Sequence, residues 1–253
     1  MSSYWLFIVS AGLRTLSGLV FGYYMPGYLQ ALYPDIENIM SVYGIIVGTV
    51  GSVAALSGGA VTSLLWRRTK LTPLYLVSVG GLLSSVFVLL MVFSRDIVGS
   101  SKTRGIRILY GSLAAAYITA ELWLGPVNGL LVLLLPPEFK TFAFAIYSSL
   151  VVLISSSGPE IIGLALRGVD PTSSNYTSAA KVILAAVIPG GYVLSSIGFL
   201  ACIPLTRRDL KMGPIPCDNG GIQRGKAMWL LAVLLLVLVM MIVLFVLSIV
   251  YKQ

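Results

Sequence analysis

Seven stretches of twenty or more mostly apolar residues divide this chain, and they constrain its fold more than any other feature. A helix needs about 20 such residues to cross a hydrocarbon core about 30 Å thick. The stretches run roughly from Tyr4 to Leu29, Ile39 to Leu65, Leu71 to Phe93, Ile106 to Leu135, Thr141 to Leu166, Val182 to Leu205 and Met228 to Val250. Backbone groups in lipid must be satisfied within the protein, so segments of this length read as helices. The expected class is all-α, a polytopic transmembrane helix bundle. Charge agrees: 10% of residues are charged, against roughly 25% in a soluble domain, too few to cover a solvated surface. The first residues, Met1 to Trp5, carry no basic n-region, so the first stretch is read as a retained span.

The remaining composition excludes several functions. The net charge of +8 sits in short connections between apolar runs, where Lys and Arg orient helices in a bilayer; no nucleic-acid partner is expected. With no His, and with two Cys in unrelated settings, no metal, haem or other cofactor is expected and His-based catalysis is ruled out. An enzyme is not expected.

Orientation follows from the basic residues. With a cytosolic N-terminus, nine of the seventeen Lys and Arg fall on the cytosolic side and seven on the other, with Arg14 inside the membrane. The sequon Asn175-Tyr176-Thr177 would then be lumenal or extracellular, which makes Asn175 a candidate glycosylation site. No signal in the sequence separates a plasma membrane from an endolysosomal one.

Two charged residues interrupt the spans. A charge near mid-bilayer is costly and is usually paired or turned toward water. Arg14 lies about 15 Å and Glu121 about 21 Å from the cytosolic ends of their helices at 1.5 Å per residue. They are the candidates for a switchable pair that binds an anionic solute or takes up a coupling proton, with a static ion pair as the plainer reading. Glu160, beside Pro159, is a possible vestibule residue. Gly44, Gly48 and Gly51 recur at helical spacing in the second span, followed by Ser57, Gly58 and Gly59, and permit close helix approach. Pro26, Pro126 and Pro159 can kink their helices, and Pro189-Gly190-Gly191 is the strongest candidate for an actual bend.

Three segments carry a family resemblance. The run Ser57 to Lys70 has the glycines and basic residues of a Gly-x-x-x-Asp-x-x-x-Arg-Arg signature, with Ser63 in place of the acid. Ala120-Glu121-Leu122-Trp123-Leu124-Gly125-Pro126 precedes Pro136-Pro137-Glu138-Phe139-Lys140-Thr141-Phe142-Ala143-Phe144-Ala145, with Lys140 where an Arg is usual. Ser157-Gly158-Pro159-Glu160-Ile161-Ile162-Gly163 follows. Together these resemble the C-terminal six-helix half of a major facilitator superfamily transporter, closest to its spinster-like branch.

The resemblance implies half of that fold over residues 1–206, a polar linker over 207–226 and one appended transmembrane helix over 227–253. It assigns Gly59, Arg67, Arg68 and Lys140 to a cytosolic gating loop, and places the helices of Arg14 and Glu121 on the central cavity. It implies transport of a small organic or lipid-like solute by alternating access. That motion needs two six-helix bundles, hence a homodimer or a separate six-helix partner, unless the chain is the C-terminal part of a longer transporter. The alternative is a degenerate, non-transporting half-transporter that serves as a structural or assembly subunit.

Overall fold

The computed structural model describes residues 2–66, 69–99, 101–135, 137–169 and 174–212. The linker and the seventh apolar stretch lie outside the described residues. Eight α-helices form: α1 (Ser2–Leu32), α2 (Ile39–Leu65), α3 (Thr72–Val92), the short α4 (Ser94–Val98), α5 (Lys102–Glu121), α6 (Leu124–Leu134), α7 (Lys140–Ala165) and α8 (Ser174–Met212). Among the described residues there is no strand, and six segments are long and apolar enough to cross a membrane. α5 and α6 together make the fourth of these, Thr103–Leu134. The chain is thus an all-α polytopic bundle.

The packing scheme has an internal symmetry. α1 packs against α7 and α8; α5–α6 packs against α2 and α3; α3 packs against α8. Exchanging spans one to three with spans four to six leaves this scheme unchanged. Equivalent spans are offset by three, an odd number of crossings, so the two triplets run in opposite directions through the membrane.

Close approach along the α1–α8 seam comes from small residues. A Cβ on Gly198 would fall 2.3 Å from Ser10 Oγ, and one on Gly191 would fall 2.0 Å from Ser17 Oγ. Ser195 Oγ donates to the Ser10 carbonyl at 2.8 Å. Without water or a hydrophobic force between helices, such contacts and hydrogen bonds hold spans together. The bend expected at Pro189-Gly190-Gly191 does not interrupt its helix. α8 runs unbroken through it, and the missing Cβ of Gly191 lets α1 approach there.

α8 has 39 residues, about 58 Å at 1.5 Å per residue, and so extends well beyond a hydrocarbon core. Its far end ties back to the start of the chain. Buried Asp209 accepts hydrogen bonds from Ser3 Oγ and from the Ser3 backbone N–H (3.4 Å). A carboxylate there meets the unpaired N–H groups and positive end of α1. We expect Asp209→Ala to cost about 1 kcal/mol, the usual worth of such a cap, and to lower the melting temperature of the reconstituted protein by roughly 2–4 °C. No change would mean that the contact adds nothing to the closed bundle.

Two apolar clusters fill the interior. One, on the N-terminal side, gathers Phe7, Leu74, Trp123, Leu130, Tyr147 and Phe199; the other, on the opposite side, gathers Met25, Tyr28, Met91, Leu113, Ile162 and Ile188. Between them, in the middle of the spans, lies a polar layer. It holds Ser10, Arg14 and Ser17 of α1, Ser78 and Ser84 of α3, Ser155 of α7, and Ser195 and Ser196 of α8, all buried. Glu121 joins it from the end of α5, half-buried.

Candidate functional site

The polar layer centres on a lapse in the fourth span. α5 ends at Glu121 and α6 begins at Leu124. Pro126 supplies the reason: it has no N–H to donate to the carbonyl four residues back, that of Leu122, and its ring crowds that carbonyl. The span expected from Ile106 to Leu135, which Pro126 can kink, crosses as one segment, Thr103–Leu134, with a lapse over Leu122 and Trp123 just before the proline, where both residues keep right-handed helical dihedrals. The freed Leu122 carbonyl points at α2. A Cβ on Gly58 would fall 2.3 Å from Leu122 O and 2.8 Å from its carbonyl carbon, so only glycine fits at position 58. Nearby, a Cβ on Gly125 would fall 3.4 Å from the Gly59 Cα.

Arg14 reaches the end of α5. Its Nη2 donates to the carbonyls of Ala120 at 2.8 Å and Thr119 at 3.2 Å, and its guanidinium lies 4.8 Å from the centre of the Tyr192 ring. The side chain is 2% exposed. A cation at a helix C-terminus opposes the partial negative charge of the last carbonyls, and here it also replaces hydrogen bonds that the break removes. Room for it comes from α3: a Cβ on Gly81 would fall 2.3 Å from Arg14 Nη1 and 2.1 Å from Ser196 Oγ. Nε and Nη1 of Arg14 are buried without a hydrogen-bond partner.

The expected pair is thus brought together in a different way. Arg14 and Glu121 both belong to the polar layer, but among the described residues no ion pair joins them within 4.0 Å. Arg14 holds the backbone of the residues just before Glu121, and Glu121 turns elsewhere. It lines a cleft of about 30 Å³ with Gly18, Phe21, Tyr117 and Tyr192, volume enough for one or two waters. Gly51 of α2 lies near it: a Cβ there would come within 3.9 Å of Glu121 Cγ and 3.5 Å of the Tyr117 ring. Tyr117 Oη lies 3.4 Å from Tyr43 Oη.

The other sequence candidates lie apart from this centre. Glu160 is exposed on α7, next to Pro159, whose carbonyl accepts a bond from the Tyr24 hydroxyl at 2.8 Å. Gly59 belongs to the packing of α2 against the break. Lys140 opens α7, half-buried, and Arg67 and Arg68 lie outside the described residues. Ser63 satisfies its hydroxyl on the Ala60 carbonyl of its own helix at 2.8 Å. Asn175 falls in the first turn of α8, with its side chain outside the described residues. Among the described residues no group of three or more potential ligands could hold a metal.

Sequence reasoning missed Gly81, Tyr192 and the serine layer. The doublets Gly80-Gly81, Ser84-Ser85 and Ser195-Ser196, each near the middle of an apolar stretch, were the available signal. A larger cavity of about 190 Å³ lies at the membrane end opposite the N-terminus, lined by Tyr33, Asp35, Arg95 and Gly105 among others. It is remote from the polar layer, and Arg95 there caps α1 through the Leu32 carbonyl at 2.9 Å. Compared with known proteins, the chain matches no family model and no curated protein.

Proposed function

We infer that the chain is half of a solute transporter of the major-facilitator type, working by alternating access with a second six-helix bundle. One observation carries this: a buried polar layer at mid-span, built around a discontinuous helix that bears Glu121 and is held by Arg14. Polar and ionisable groups at that depth are costly in a bilayer and mark solute or ion pathways. Broken helices at the interface of inverted repeats are where transporters place their sites. The exchange-symmetric packing of the two triplets supports the same reading, since three-plus-three inverted repeats build each half of that fold.

The exposed faces support the second bundle. α3 exposes Tyr75, Val79, Leu82, Leu83, Val86, Leu89 and Leu90, a surface suited to lipid tails. α2 exposes Ser41, Gly44, Gly48, Thr49, Ser52, Ala60 and Ser63 interspersed with Ile45, Val53, Leu56, Leu64 and Leu65. α1 exposes Gly18, Gly22 and Gly27, and α7 exposes Thr141, Ala145 and Ser149. Small residues concentrate where transmembrane helices pack, not where they meet lipid. The glycines of α2 divide accordingly: Gly51 and Gly58 contact the fourth span, while Gly44 and Gly48 face open space. A homodimer or a separate six-helix partner would cover that side, and the N-terminus would be cytosolic.

Labelling of a single cysteine tests this. Gly18 lines the cleft and has nothing within 4 Å of a Cβ position. In a background of Cys202→Ala and Cys217→Ser, Gly18→Cys should react with a membrane-impermeant maleimide applied to either side of a reconstituted bilayer. Each side should reach a different fraction of molecules. Reaction from one side alone under all conditions removes alternating access. It then favours the assembly-subunit reading, which the self-satisfied hydroxyl of Ser63 also supports.

A further inference from the structure

One face of α8 carries two kinds of exposed side chain in succession. Leu194, Ile197 and Leu200 are exposed along its membrane-crossing part. Arg207, Arg208 and Lys211 are exposed beyond Leu205, where the apolar run ends. At about 100° per residue these six positions fall within an arc of about 140°, and Asp209 falls outside it. Arg207 and Lys211 lie about 3 and 9 Å past Leu205 at 1.5 Å per residue. The headgroup layer occupies about 5–8 Å on each side of the hydrocarbon core, so the basic residues emerge at its depth. Asp209, the one acid among them, is buried against Ser3 and does not mask the basic face. Among the described residues Glu138 is the other carboxylate at this end of the bundle. At the opposite end, exposed Asp35, Glu37, Asp96 and Glu160 stand among the basic residues, and Lys181 pairs with Asp96 at 2.7 Å.

We propose that this face of α8 binds an anionic phospholipid, with its tails along Leu194, Ile197 and Leu200 and its headgroup at Arg207, Arg208 and Lys211. Lys and Arg just outside a span attract anionic headgroups, and their long side chains can reach back to the interface. The same residues also orient a helix as it inserts. That role ends with insertion and leaves the finished protein without a lipid preference, so the two are separable. That the leaflet concerned is the cytosolic one rests on the orientation proposed above; the binding does not, nor does it need the chain to transport.

The test is native mass spectrometry of the full chain released from nanodiscs of equal parts phosphatidylserine and phosphatidylcholine. Each basic residue near an anionic surface is worth about a fivefold gain in affinity. Retained phosphatidylserine should therefore exceed phosphatidylcholine by about fivefold or more, and the excess should shrink as salt in the incubation rises. Arg207→Gln/Arg208→Gln/Lys211→Gln should bring the two lipids near parity. Arg104→Gln/Arg107→Gln, at the opposite end of the bundle, should leave the excess in place. Lys211→Gln alone should lower it about twofold or more, even if the triple variant fails to insert. Equal retention of the two lipids by the parent protein, or an excess unchanged in the triple variant, would overturn the proposal. Competition by glycerophosphoserine, the headgroup without tails, would make this a site for a soluble phosphate and overturn it too. A chain that selects phosphatidylserine yet fails two-sided labelling of Gly18→Cys loses transport and keeps this surface.

Discussion

Gly58→Ala should destabilise the protein by about 3 kcal/mol, at the upper end of what overpacking by one methyl group usually costs. The corresponding fall in melting temperature is roughly 6–12 °C for a chain of this size. The new Cβ would sit 2.3 Å from Leu122 O, 2.8 Å from its carbonyl carbon and 2.9 Å from its Cα. All three are backbone atoms, so no rotamer relieves the clash; α2 must move away from the fourth span or the break must re-form. Gly48→Ala is the control, since nothing lies within 4 Å of its Cβ position. There the gain in helix propensity, about 0.5–1 kcal/mol, should make the isolated bundle slightly more stable. Melting curves of the two variants side by side decide the matter. Equal behaviour would mean that the Leu122 carbonyl does not rest against α2.

Gly81→Ala should act through Arg14. Its Cβ would crowd Nη1 of Arg14 and Oγ of Ser196, both ends of side chains that can move. The guanidinium would have to leave the carbonyls of Thr119 and Ala120, and a hydrogen bond to a charged group is worth about 1.5–3 kcal/mol. After the modest helix gain of Ala over Gly, a loss of about 2–3 kcal/mol remains. A double-mutant cycle with Arg14→Met isolates this. With the cation gone, Gly81→Ala should cost at least 1 kcal/mol less than in the parent, within the range of coupling between touching residues. A coupling below about 0.5 kcal/mol would assign the clash to Ser196 instead.

Hydropathy read the membrane better than it read the helices. The second span was expected from Ile39 to Leu65 and forms as Ile39–Leu65, because turn residues bound it on one side and basic residues on the other. The sixth was expected to stop near Leu205, yet α8 continues to Met212. Arg207, Arg208 and Lys211 end the apolar run but are good helix formers, so the backbone carries on past the lipid. The fourth span was legible as a crossing that Pro126 can kink, but a proline in an apolar run gives the place of a lapse and not its tertiary support. That support comes from Arg14 and Gly58, both distant in sequence.

The same limit applied to the site. That Arg14 and Glu121 matter could be read from cost alone, and both do belong to the central polar layer. Which atoms Arg14 would choose could not be read, because carbonyls released by a helix break leave no mark in the side-chain sequence. The serines were visible one at a time, but only the packing shows that four spans bring them to the same layer.

The distance along the chain between Arg14 and its acceptors has a consequence for biosynthesis. Arg14 enters the membrane with the first span, while the Ala120 carbonyl is 106 residues further on. At 5–20 residues per second, ribosomes need on the order of 5–20 s to supply it. During that interval the first helix holds a guanidinium in hydrocarbon with no acceptor from its final fold, and the Tyr192 ring arrives later still. The nascent chain is therefore less settled in the bilayer once the span of Arg14 has inserted, and gains this acceptor only when the span of Ala120 docks. A chain halted before that point displays an unmet cation, a chemical mark by which a membrane chaperone or protease can tell an unfinished copy from a finished one.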